Sequence, residues 1–203
     1  MNVKELLMDF VSRFSVMNTN ELIAQISGLV VTLICIISPQ FKKKWQMVTL
    51  SLLANLLSGV NFLLLGEFSA CGVTAVALAQ CVLTIRHDKR DTSPGKVELS
   101  IYGVLYVAGG FLPYLVSGTL ASFTWVDVMP IIGALLFLGY LAQKQEQRMR
   151  LFGLSNATVY FAYDIIIGST QVFAQLFGMI STTTALLRYR KKKSAQNETE
   201  FQA

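Results

Sequence analysis

Amide, hydroxyl and phenol groups recur along two apolar stretches of this 203-residue chain at the spacing of one helical face. Ser51, Asn55 and Ser58 share a face of the first stretch, with Asn61 near its edge; Asn156, Tyr160 and Tyr163 do the same in the second. A polar group inside an apolar helix turns toward the bundle interior or a water-filled cavity. The stripes therefore either line a passage for a hydrogen-bonding solute or bond helix to helix, at under about 1 kcal/mol per contact. Thr74, Gln80 and Thr84 form a third polar stripe, and Gln171, Gln175 and Thr182 around Gly178 a fourth. This chemistry suits a neutral, hydrogen-bonding solute better than an ion, because no dense set of carboxylates accompanies it.

Two carboxylates, Asp127 and Asp164, fall within apolar stretches close to their ends. Either both sit at a membrane interface, where ionisation costs little, or Asp164, beside Tyr160 and Tyr163, recognises a polar or cationic solute or exchanges a proton. Catalytic and metal chemistry find little to work with. His87 is the sole histidine, flanked by Arg86 and Asp88 with no cysteine nearby, so no zinc-type ligand set forms. Neither a Ser-His-Asp grouping nor a phosphate-cradling glycine loop is present. The expectation is no enzyme, no cofactor and no metal. Cys35, Cys71 and Cys81 all lie in apolar stretches, and an odd number implies no disulfide framework.

The elements that position these groups are helices in a bilayer. The chain is 53% hydrophobic and 14% charged, with mean hydropathy +0.53, against roughly 45–50% and 25% in soluble domains. A span needs about 17 to 25 apolar residues, and seven stretches qualify: 22–38, 47–65, 69–85, 99–117, 125–142, 151–167 and 169–187. Threading seven spans places 15 of the 17 basic residues on one side, leaving only Lys4 and Arg13 opposite. By the positive-inside rule that side is cytoplasmic, with the N-terminus outside and the C-terminus in the cytoplasm. The net charge of +5 is thereby read as a topology signal rather than a nucleic-acid footprint.

Residues 1–20 read as an amphipathic interfacial helix, with Val3, Leu6, Leu7, Phe10, Val11, Phe14 and Met17 at 3/4 spacing. Asn18 followed by Glu21 resembles a helix start with a capping partner. Residues 21–90 form a first three-helix bundle, 91–123 a linker loop and fourth helix, 124–190 a second three-helix bundle, and 191–203 a cytoplasmic tail, polar and expected to be disordered over 194–203. Sliding the chain 102 residues against itself joins the triplets without a gap: Lys42 meets Lys144, Gly66 meets Gly168 and Arg86 meets Arg188. Ser58 then pairs with Tyr160 and Asn61 with Tyr163. The fold expected is an all-α membrane protein of two parallel triplets joined by a linker helix, a plan that in transporters puts the solute route between the halves.

Ser38-Pro39-Gln40-Phe41-Lys42-Lys43-Lys44, at the basic end of the first span, resembles the Pro-Gln motif of PQ-loop and SWEET-type proteins. Asn61 to Gly66, the run through Leu83-Thr84-Ile85-Arg86, and Val128-Met129-Pro130-Ile131-Ile132-Gly133 resemble the YgjV family of bacterial inner-membrane proteins, over about residues 22–190. The resemblance implies a SWEET-like or PnuC-like architecture in a bacterial cell membrane and names no solute. Departures accompany it: neither 69–85 nor 169–187 contains the Asn that SWEET-type sugar transporters carry there, and Leu141-Ala142 replaces Pro-Gln in the second half.

The function expected is transport or facilitated passage of a small polar solute by alternating access. Asn55, Ser58, Asn61, Gln80, Asn156, Tyr160, Tyr163, Asp164 and Gln175 line the pathway, with Pro39 and Gln40 as hinge. The alternative is a non-transporting scaffold or sensor whose polar stripes only pack helices. Lipid is the expected partner, nucleic acid is not, and self-association is left open.

Overall fold

The computed structural model of the chain describes residues 18–90, 92 and 94–201, with side chains placed as far as Tyr189. The amphipathic segment read over residues 1–20 lies, up to residue 17, outside the described residues. The described residues form seven α-helices: α1 (Thr19–Ile37), α2 (Lys44–Leu65), α3 (Phe68–Lys89), α4 (Lys96–Ser117), α5 (Trp125–Ala142), α6 (Glu146–Ile167) and α7 (Gln171–Phe201). Short 3-10 turns at Ser38–Gln40 and Leu120–Ser122 follow α1 and α4.

Local chemistry sets these boundaries. Asn18 opens α1 with a capping box: its Oδ1 accepts from the Glu21 backbone N–H at 2.8 Å, and its own N–H donates to Glu21 Oε2 at 3.2 Å. Pro39 has no N–H to continue the ladder, so α1 gives way to the 3-10 turn. The offset pair Gly66 and Gly168 close α2 and α6 in the left-handed conformation, with φ of 79° and 70°. A Cβ would be penalised at either turn. At the far end of the chain α7 runs on to Phe201, where polarity had pointed to a disordered tail. The segment 191–201 holds three Lys and two Glu, both good helix formers, and contains no Gly or Pro to stop a helix.

Five helices, α1 to α5, are long and apolar enough to cross a membrane. A 22-residue helix such as α2 extends about 33 Å, matching the roughly 30 Å hydrocarbon layer. α6 has the same length but carries Glu146, Arg148, Arg150, Asn156 and Asp164, and α7 ends in a basic and polar run. Large apolar side chains such as Leu33, Leu63, Val104, Leu115 and Ile165 stand exposed on the outer faces. A bilayer would cover these faces, and they are the lipid-contacting surface of the bundle.

The helices pack as a ring. α2 contacts α1 and α3, α6 contacts α5 and α7, and the ring closes through α3 against α5 and α7 against α1. α4 packs outside the ring on α3 and α5. The two closures use similar bonds at the end bearing the glycine turns. Ser69 at the start of α3 donates its hydroxyl to the Asp127 carbonyl at 3.0 Å, and Thr170 before α7 donates to the Gln25 carbonyl at 3.0 Å. Gln25 and Asp127 coincide under the 102-residue shift. Small residues let the helices approach. A Cβ on Gly72 of α3 would fall 2.0 Å from the Gly109 carbonyl oxygen of α4, and one on Gly28 of α1 would meet Thr170 Oγ1 at 2.4 Å.

Candidate functional site

Five of the nine residues expected on the pathway meet in the middle of the ring. Asn55 and Ser58 of α2, Asn156 and Tyr160 of α6 and Gln175 of α7 line a cavity of about 140 Å³, with Val73, Thr74 and Ala77 of α3 forming the wall between. A second cavity of about 120 Å³ continues toward the Pro39 end, lined by Ser38, Pro39, Arg150, Gly153 and Thr182 among others. Cys35, Ser51, Phe137, Asn156 and Gln175 border both. The two spaces are thus stacked along the ring axis with a shared waist.

Each lining group owes its place to a specific neighbour. Gly133 on α5 has no side chain, so the Tyr160 ring lies against its backbone; a Cβ there would come within 2.5 Å of Tyr160 Cε2. The Asn156 amide donates to the Gly133 carbonyl at 2.7 Å, and Tyr160 donates its hydroxyl to the Pro130 carbonyl at 3.3 Å. Ser58 donates to Gln171 Oε1 at 2.9 Å, while Asn55 donates back to the Ser51 carbonyl one turn earlier at 2.7 Å. Gln171 is 1% exposed and lines the first cavity, and its amide nitrogen finds no acceptor. That leaves a buried donor without a partner beside the cavity, an arrangement that proteins rarely leave uncompensated.

The remaining expected residues stand elsewhere. Asn61, completely enclosed, donates to the Ala24 carbonyl of α1 at 2.6 Å and accepts from Ser169 at 3.2 Å, tying three segments together. Tyr163 donates to Glu67 Oε2 at 2.9 Å. Phe62 packs against both Tyr160 and Tyr163, with ring centroids 6.4 and 6.0 Å away, so an aromatic cluster stands toward the glycine-turn end. Gln80 faces outward, accepting the Tyr106 hydroxyl of α4 at 2.6 Å. Asp127 is the partner in the cap of α5: its carboxylate accepts from the Thr124 N–H at 2.8 Å and from the Tyr114 hydroxyl at 2.5 Å. Asp164 lies fully buried, outside both cavities, and neither of its oxygens has a hydrogen-bond partner; the Gln175 amide stands near without completing a bond.

At the Pro39 end, the turn expected to act as hinge is fastened to two other helices. Gln40 donates its amide to the Ser181 hydroxyl at 2.8 Å and carbonyl at 3.2 Å, and Tyr189 donates to the Gln40 carbonyl at 3.1 Å. Arg150 of α6 donates through Nε to the Pro39 carbonyl at 3.2 Å and through Nη2 to the Phe41 carbonyl at 2.9 Å. Its guanidinium carbon lies 4.5 Å from the centre of the Tyr189 ring. Residue-type reasoning counted Arg150 only as a topology charge. The signal that could have set it apart is its i, i+3, i+7 spacing with Gly153 and Ala157, small residues that leave room for a cavity on that face.

The family described as bacterial inner membrane protein, Imp-YgjV, matches residues 22–196, nearly the whole described chain. No curated protein and no solved structure matches.

Proposed function

Starting from the chain's membership of the Imp-YgjV family of bacterial inner membrane proteins, which makes it a multi-pass protein of that membrane, we propose that it is a small-solute transporter or facilitator. The observation that carries this reading is the pair of stacked cavities on the ring axis, sharing a waist of Cys35, Ser51, Phe137, Asn156 and Gln175. Their lining mixes amides, hydroxyls and one phenol with apolar walls. The spare Gln171 amide donor supports a hydrogen-bonding occupant.

In this reading all seven helices cross the membrane. The basic ends of α1, α3, α5 and α7 face the cytoplasm, and α4 joins two parallel triplets, α1 to α3 and α5 to α7. The neighbour order of the ring, unchanged when each triplet replaces the other, supports such a repeat, as do the matched Gly66 and Gly168 turns. So does the resemblance to PQ-loop, SWEET and PnuC-type proteins. Transport proceeds by rocking one triplet against the other. The Phe62, Tyr160 and Tyr163 cluster closes one end and the Pro39–Gln40 turn acts as the pivot at the other. Asp164, unpartnered beside the aromatic cluster, takes up a proton or meets the solute when that end opens. No His, Asp or Glu lines either cavity, which favours passage over catalysis.

A scaffold or sensor is the second reading. It is favoured by one observation: Asn55, Ser58 and Asn156 already spend hydrogen bonds within the bundle. Purified protein in lipid vesicles separates the two. The transporter reading expects at least one solute from a panel of small polar compounds to enter faster than into protein-free vesicles, and Gly133→Leu, which displaces the Tyr160 ring of the first cavity, to abolish the gain. Equal entry with and without protein for every solute sinks transport.

A further inference from the structure

The wall of the second cavity carries a charge that forms no ion pair among the described residues. Arg150 is 3% exposed, yet it forms no ion pair among the described residues, whose only pairs are Lys44 with Asp88 and His87 with Glu98. Glu146, one turn earlier on α6, attracts the guanidinium from a distance but forms no ion pair with it. Nε and Nη2 are engaged by the Pro39 and Phe41 carbonyls and one face of the guanidinium lies on Tyr189. Nη1 has no hydrogen-bond partner among the described residues. Two backbone carbonyls and a ring hold the group in place; they do not neutralise it. A buried charge is normally paired, and a guanidinium fixed with free donors at the wall of a cavity is the arrangement that receives a carboxylate or phosphate.

Its surroundings agree. Ser38 and Thr182 stand in the same wall and offer hydroxyl donors, and Asn156 and Gln175 at the waist offer amides. The other spare donor on the axis is the Gln171 amide nitrogen of the first cavity. The two uncommitted nitrogen groups in the cavity linings are therefore both donors, and a solute that satisfies them is rich in acceptors; the carboxylate of Asp164 stands outside both linings. Neither cavity has an Asp or Glu in its lining. The buried carboxylate of Asp164 is fourteen residues further along α6, about 21 Å away along the axis.

We propose that the second cavity binds the anionic group of a small acidic solute, with Arg150 as the group that recognises it and Ser38 and Thr182 beside it. The polar stripes alone point to a neutral solute; Arg150 adds one negative charge. The inference deepens the transporter reading but concerns binding, so it can fail separately.

The test is thermal unfolding of the full chain in discs of zwitterionic lipid, with short monocarboxylates set against their own amides: lactate against lactamide, propionate against propionamide. Inorganic phosphate is a further arm. The acids or phosphate are expected to stabilise the protein in a saturable way and the amides not to. Arg150→Lys keeps the charge but loses the fork, and is expected to weaken the apparent affinity at least tenfold. Gly153→Val narrows the cavity without touching the Arg150 hydrogen bonds, and is expected to weaken it too, which guards against Arg150 variants that fail to fold. Stabilisation by amides equal to that by acids overturns the inference while leaving transport of a neutral solute standing. Absence of stabilisation by every anion overturns it as well. Saturable stabilisation by phosphatidylglycerol added to the discs, in place of soluble anions, assigns the guanidinium to a lipid headgroup and also overturns it. Anion binding without flux keeps the site and removes the transport reading.

Discussion

Asn61 and Gln80 are both buried amides, and on the transporter reading only Asn61 bears on passage. Asn61 sits where α1, α2 and the start of α7 converge beneath the aromatic cluster; Gln80 bonds outward to Tyr106 on α4. Replacing Gln80 by Leu removes one hydrogen bond and replacing Asn61 removes two, each worth about 0.6 and at most about 1.7 kcal/mol in a membrane bundle. Both variants should therefore lose small amounts of thermal stability, Asn61→Leu the larger. Flux should fall only in Asn61→Leu, and equal loss of flux in Gln80→Leu would show that the measurement reports bundle stability instead. Gly133 gives a sharper residue-scale case. Gly133→Ala forces the Tyr160 ring aside, at about 1–3 kcal/mol for an overpacked site, and should lower both melting temperature and solute entry.

The same residues show what one sequence can disclose. The 3.6-residue period made the face Ser51, Asn55, Ser58 and Asn156, Tyr160 legible, and these groups do line the cavities. It could not separate them from Asn61 and Tyr163, which share nearly the same faces but lie toward the glycine-turn end and are spent on Ala24 and Glu67. That distinction depends on which partner stands opposite, a three-dimensional fact. Asp127, read from the sequence as a carboxylate at the outer start of a span, caps α5 through its bonds to Thr124 and Tyr114. Arg150 was hidden for another reason: a cation at a span end is adequately explained by topology, so nothing in its type announced an unpaired, buried guanidinium.

At the scale of elements, helix limits were readable because they rest on local chemistry: the Asn18 cap, the Gly66 and Gly168 turns and the Pro39 break all act within a few residues. Helix neighbours were less so. The closeness of α3 and α4 depends on Gly72 facing Gly109, whose carbonyl oxygen would lie 2.0 Å from a new Cβ. Backbone cannot swing away as the Tyr160 ring can. Gly72→Ala should accordingly cost more stability than Gly133→Ala, measured by thermal unfolding in the same lipid, even though Gly72 is remote from the cavity. A reversed order would mean that α4 is loosely attached. Gly168→Ala places a Cβ in the left-handed region, at roughly 1–2 kcal/mol, and offers a calibration between the two.

For the whole molecule, apolarity and charge placement disclosed a membrane protein directly, and the family match agrees. Counting spans was harder at the end of the chain: α6 and α7 carry Asn156, Tyr160, Gln171 and Gln175 toward the inside of the ring and are not among the five helices apolar enough to cross a membrane by composition. The central claim is that the waist shared by the two cavities opens in turn to each side of the membrane. It is tested most directly by placing a single cysteine at Ser51 or Asn156, with Cys35, Cys71 and Cys81 replaced by Ala, and applying a membrane-impermeant thiol reagent to right-side-out and inside-out vesicles. Alternating access expects both positions to be labelled from either side; labelling from one side only, or from neither in folded protein, contradicts it.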